Sequence, residues 1–148
     1  MSAVPTLCGG FLLAVLWMDL MFDVQVLRYE DENSELPEEV LCSIAAYYRR
    51  VTTEARPMGY AIALVMLVTV AAVIAKIAAG ASAWIGCVSL LFGGGPIVLA
   101  LLRVYPNAVR LGSRSDSPLG QSALARSICR DHLLCFGSIV VFVIAQSV

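Results

Sequence analysis

The strongest constraint on this chain is the run Leu16-Trp17-Met18-Asp19-Leu20-Met21-Phe22-Asp23-Val24-Gln25, where two carboxylates interrupt an apolar stretch long enough to cross a bilayer. On a helix Asp19 and Asp23 stand one turn apart on the same face. An ionisable group in hydrocarbon costs between about 2.5 and more than 10 kcal/mol, so this face is predicted to turn into a protein interior or a wet cavity. The rest of the chain has to supply that interior.

Composition fits a chain of this kind. Hydrophobic residues make up 59% and charged residues 14%, with a mean hydropathy of +0.84, whereas soluble domains carry charge on about a quarter of their residues. The 148 residues suffice for a single integral-membrane domain, residues 1–148, without a separate soluble one. The net charge of −1 says nothing about partners. The five cysteines, Cys8, Cys42, Cys87, Cys129 and Cys135, form no CxxC and no CxxCH, which removes the thioredoxin-like and c-type haem readings. They read as small buried hydrophobes.

The first span is predicted over about 5–27. Its start, Met-Ser-Ala-Val-Pro-Thr, has no charged n-region, and acids within the span are foreign to a signal sequence, so the span is expected to stay in the mature protein. Residues 28–57 are polar and contain the acidic run Glu30-Asp31-Glu32 followed by Glu35, Glu38 and Glu39. Within them Val40, Leu41, Ile44, Tyr47, Tyr48 and Val51 recur at helical spacing. Pro37 opens that pattern and Arg49 and Arg50 fall near its end, which predicts an amphipathic helix over about 37–55, lying on the membrane surface or capping the bundle. Tyr47 and Tyr48 suit the interface, where an aromatic body meets a polar tip.

A second span is predicted over about 58–79, polar only at Thr69 and Lys76, with Lys76 near enough to its end to snorkel. Gly80-Ala81-Ser82 permits only a tight turn, so the third span, about 83–102, runs antiparallel beside the second. Gly93-Gly94-Gly95-Pro96 predicts a kink or an unwound turn within it. Residues 103–130 read as a basic polar loop, with Arg103, Arg110, Arg114, Arg126 and Arg130 against Asp116. Pro118 can open a helix there, and the last span, about 131–145, is short enough that its helix should begin several residues earlier.

The expected fold is all-α: a four-helix transmembrane bundle with an amphipathic cytoplasmic helix between spans 1 and 2. All nine arginines fall in the two long loops, so the positive-inside rule puts those loops in the cytoplasm and both termini on the opposite side. In that topology Asp19 lies about 14 Å and Asp23 about 8 Å below the level of Arg28. Arg103 and Asn107 at the end of the third span and Asp131 and His132 at the head of the fourth approach from the same side. The expected pocket is lined by Asp19, Asp23, Gln25, Arg103, Asn107 and His132. His132, Asn107 and Asp23 are its candidate catalytic residues, and Asp19, Gln25 and Arg103 its candidate binding residues. Asp19, Asp23 and His132 also supply donor types that suit a divalent iron, manganese or zinc ion, although no HxxxH, HxxE or ExxH pairing accompanies them.

The segment Tyr105-Pro106-Asn107-Ala108-Val109-Arg110-Leu111, followed by Arg130-Asp131-His132-Leu133-Leu134 at the opening of the last helix, resembles the anthrone-oxygenase-like family of small four-span membrane proteins. The likeness covers about the last third of the chain and the number of spans. Ile128 or a neighbour stands where that family would carry a tryptophan, the arginine expected soon after is absent, and the Asp19/Asp23 pair is not one of its features. The resemblance implies an oxidative role on a hydrophobic aromatic substrate, carried by Asn107 and His132.

Three functions compete on this reading. One is a membrane oxidoreductase with His132 and the aspartates as base or metal ligands. Another is a non-catalytic accessory subunit that docks a protein partner, or a second copy, through its charged loops. The last is a proton or cation relay through Asp19 and Asp23. Membrane lipid is an expected partner in all three and nucleic acid in none, because the basic loop reads as topology and anionic-lipid contact.

Overall fold

The computed structural model describes residues 3–29, 31 and 34–147, and every regular element among them is helical. Glu30 and Glu32 of the acidic run lie outside the described residues. Helix α1, Val4–Asp23, runs on through a 3₁₀ turn, Val24–Arg28. Helix α2, Glu38–Arg49, carries Pro37 at its N-cap and Glu38 and Glu39 in its first turn, where the helix dipole favours acids. Helix α3 spans Arg56–Ala78. Helix α4 spans Ala83–Ser113 and helix α5 spans Pro118–Ser147. Helices α3, α4 and α5, and α1 with its 3₁₀ turn, are each long and apolar enough to cross a membrane.

Between α3 and α4 the chain reverses at Gly80, which adopts φ 86°. Ala81 N–H donates to the Lys76 carbonyl around this left-handed residue and closes the helix end. The expected tight turn is therefore present.

The expected polar loop over 103–130 is corrected. Residues Tyr105–Ser113 continue α4, and α5 begins at Pro118, so only Arg114–Ser117 connect them. Helix α4 survives its prolines by widening. A π turn at Leu90–Gly94 precedes Pro96, and a second at Ala100–Val104 precedes Pro106. Proline has no N–H and its ring crowds the carbonyl four residues back, and a wider turn relieves both. The Gly93–Pro96 stretch thus stays helical where an unwound turn was one expectation. A third π turn, Arg50–Glu54, ends the helical stretch at Ala55, and Pro57 falls in the first turn of α3, where its missing N–H breaks no helical bond.

The densest packing is at the α2 end. Val26 after α1, Leu41, Ile44 and Tyr48 of α2, Val104, Ala108 and Leu111 of α4, and Ala125, Ile128 and Cys129 of α5 form one buried cluster with Leu36. Gly112 allows the close approach of α4 to α2, since a Cβ there would lie 2.7 Å from the backbone nitrogen of Arg49. Further along, Phe142 is fully buried, with Gly9 and Gly93 each turning a bare Cα toward its ring. Outside these points the long helices present an apolar exterior, with Leu64, Leu67, Leu91 and Leu102 all more than half exposed. All five cysteines are free; Cys129 and Cys135 are buried as expected, whereas Cys42 and Cys87 are exposed.

Candidate functional site

Asp19 and Asp23 face inward from α1 toward α2 and α5. Asp23 is fully buried, and the side chains of His132 and Asp19 retain 7% and 15% exposure. Asp23 Oδ2 lies 2.7 Å from His132 Nδ1, and Asp23 Oδ1 accepts a 2.6 Å hydrogen bond from the Tyr48 hydroxyl. The other face of the imidazole looks at the second acid, with Nε2 3.8 Å from Asp19 Oδ2. Tyr47 donates to Asp19 Oδ1 at 2.7 Å.

A histidine thus sits between two carboxylates, and each carboxylate is held from behind by a tyrosine. In the tautomer that carries its hydrogen on Nδ1, the imidazole donates to Asp23 and presents Nε2 to Asp19.

The tyrosines come from α2, and its amphipathic pattern delivers them. Leu41, Ile44 and Tyr48 line its docked face at helical spacing, all buried to 2% exposure or less. Tyr47 lies at the edge of that face and stacks on Phe22, with ring centroids 4.1 Å apart and planes 12° apart. Burial, with the Asp23 carboxylate beside it, holds the Tyr48 phenol well above its usual range. Burial and Asp19 raise Tyr47 in the same way. Both hydroxyls therefore remain donors.

Three of the six residues expected in one pocket do not join this cluster. Gln25 donates to the Phe22 carbonyl at 2.9 Å and reaches Ser43 at 3.4 Å, so it ties α1 to α2. Arg103 is committed to Asp131, with Nε 2.9 Å from Oδ2, and also donates to Ser127. Its pairing with Asp131 is Coulombic and lacks hydrogen-bond alignment. Asn107 is half-buried near the end of α4, and its side chain makes no hydrogen bond among the described residues. The cause is rotational: α4 continues as a helix past residue 102, which fixes the directions of Arg103 and Asn107 by the phase of that helix.

The donors do not fit a divalent metal. Among the described residues no group of three His, Cys, Asp or Glu side chains is arranged to hold one. Both Asp23 oxygens are occupied by Tyr48 and His132, leaving Asp19 and Nε2 where about four to six ligands are needed.

A second polar set occupies the opposite end of the helices. Lys76 donates to Gln146 Oε1 at 2.7 Å, and Gln146 donates to Ser89 Oγ at 2.6 Å. Lys76 is therefore tied to α5 as well as placed near a helix end. His132 and Gln146 share α5 and are separated by about 21 Å of helix rise. Buried Ile139 and Phe142 lie between them.

Tyr47 and Tyr48 are the members of this cluster that the sequence assigns to another role, as interfacial aromatics. Their signal was positional, since Tyr48 falls on the apolar stripe of α2 and not beside it. No protein family, no curated protein and no solved structure matches this chain.

Proposed function

We propose that this chain is a small multi-pass membrane protein whose four long helices span the bilayer as a bundle, while α2 lies along one membrane face and closes a buried proton-accepting site. The nine arginines gather at the α2 end, which supports a cytoplasmic position for that end and an opposite position for both termini. His132 is the base. Asp23, steadied by Tyr48, fixes the imidazole tautomer, and Asp19 faces the Nε2 that takes the proton and stabilises the imidazolium that forms.

The substrate on this reading is a hydrophobic aromatic molecule with a weakly acidic proton, entering from the acyl chains past Asp19, the more exposed acid. The anion left after proton loss is then oxidised by dioxygen, a CH2 becoming C=O with water as the second product, and the resemblance of the C-terminal third supports the same substrate class. The observation that carries the reading is the 2.7 Å contact between His132 and a fully buried Asp23, in helices apolar enough to cross a membrane. Ionisable groups in such a setting are expensive and mark function by default. Burial of Ile139 and Phe142 beyond the site supports a one-sided base over a relay through the bundle.

The test is turnover of a hydroxyanthrone-type probe, followed by oxygen uptake, with the protein in nanodiscs. His132→Gln is expected to lose at least about a hundredfold, the usual contribution of a general base. Asp23→Asn is expected to follow it through the wrong tautomer. Unchanged turnover in both variants overturns the reading, as does proton flux in liposomes that depends on Asp19 without any turnover.

A further inference from the structure

A groove of about 480 Å³ opens between the end of α1 and the first half of α5. Its size falls within the about 300–1,000 Å³ of small-ligand sites. It lies outside the Asp19/His132 cluster, and its walls change character along their length. On α5, Ala123, Ser127, Arg130 and Leu133 recur at helical spacing and all line the groove. They pass from small and polar to basic to apolar over about 15 Å of helix rise. Leu27 faces them from the end of α1, and both Leu27 and Leu133 are largely exposed, at 59% and 44%.

Two arginines, Arg126 and Arg130, line the groove. Arg126 donates to the carbonyls of Ser34 and Asp31, both at 2.9 Å, which fixes one wall. Arg130 is exposed, and its side chain makes no ion pair or hydrogen bond among the described residues. The neighbouring acid, Asp131, is buried and turned to Arg103. A cationic head position followed by an apolar trough has the polarity of an anionic amphiphile.

We propose that this groove seats an anionic phospholipid, with Arg130 as the phosphate contact and one acyl chain along Leu27 and Leu133. The proposal shares with the proposed function only the premise that the long helices span a bilayer. It does not use the proton chemistry, so His132→Gln protein keeps the lipid.

The experiment is native mass spectrometry of the full chain released from detergent containing equal phosphatidylglycerol and phosphatidylcholine. The wild-type protein is expected to retain phosphatidylglycerol preferentially. Arg130→Gln should lower that preference about fivefold, the effect of one basic residue on anionic-lipid attraction. Arg130→Lys should keep most of it. Absence of a preference in the wild type, an unchanged preference in Arg130→Gln, or displacement of the lipid by millimolar inorganic phosphate each overturns the proposal. Should Arg130→Gln fail to purify, a photoactivatable phosphatidylglycerol on the wild-type protein decides. Crosslinks at Leu133 and its neighbours on α5 support the groove, and crosslinks confined to other helices overturn it.

Discussion

Tyr48 and Asp23 are joined by a 2.6 Å hydrogen bond with the carboxylate fully buried, so the amphipathic helix is anchored to an acid of the first long helix inside the protein. The tyrosine is one of two polar partners of that carboxylate, the other being His132. Removing the hydroxyl leaves Asp23 Oδ1 dry and unpaired. Tyr48→Phe is expected to destabilise by about 1.5–3 kcal/mol, the range for a hydrogen bond to a charged group. Tyr47→Phe should cost less, because its partner Asp19 keeps 15% exposure and water can replace the phenol. Denaturant unfolding in detergent measures both, and equal costs would contradict the arrangement.

Alkaline titration reads the same two phenols. Burial and the adjacent carboxylates raise Tyr47 and Tyr48 above the usual tyrosine range. A group raised on folding contributes stability that is complete below its unfolded value, about pH 10. That stability is lost as pH climbs toward the higher folded value. The native protein should therefore keep both residues as phenols above pH 10, their phenolate absorbance appearing together with unfolding. Phenolate absorbance from Tyr48 in protein that remains folded would be inconsistent with its burial.

The acidic side carries a separate linkage. Hydrogen bonds from Arg114 and Cys42 hold Glu38 below the usual carboxylate range. A group lowered on folding contributes above its unfolded value and loses that contribution as pH falls through the folded one. The stability difference between wild type and Glu38→Gln should be present at pH 6 and fade below about pH 4. A difference that persists into strong acid would show that the effect is not this carboxylate's charge.

Two glycines of α4 separate close packing from mere helix weakening. A Cβ on Gly112 would meet the backbone of α2 at 2.7 Å, and one on Gly94 would meet nothing within 4 Å. Gly112→Ala is expected to cost about 1–3 kcal/mol by overpacking. Gly94→Ala should gain about 0.5–1 kcal/mol, the usual helix advantage of alanine over glycine. Melting temperatures of the two variants against wild type check the contrast in sign.

Phe142 of α5 is fully buried, with Gly9 of α1 and Gly93 of α4 against its ring. Phe142→Ala should cost about 3–5 kcal/mol through loss of packing and the cavity left behind. Unfolding in detergent measures it, and a cost below about 1 kcal/mol would mean that the neighbours collapse into the space.

Periodicity and polarity were legible in the chain before any contact was known. Four stretches too apolar and too long for anything but helices, the reversal at Gly80, and the stripe of Leu41, Ile44 and Tyr48 on α2 follow from local composition and spacing. So did the demand that Asp19 and Asp23 have partners, because the cost of burying an unpaired acid does not depend on the neighbour's identity. Which partners they obtained was decided by tertiary structure alone. His132 met them, whereas Arg103 turned to Asp131 and Asn107 stayed apart. The direction of a side chain on a long helix depends on that helix's rotation, set by π turns ahead of Pro96 and Pro106 and by close packing at Gly93 and Gly112. The tyrosines came from a helix whose spacing announced a buried face but not what lay beneath it.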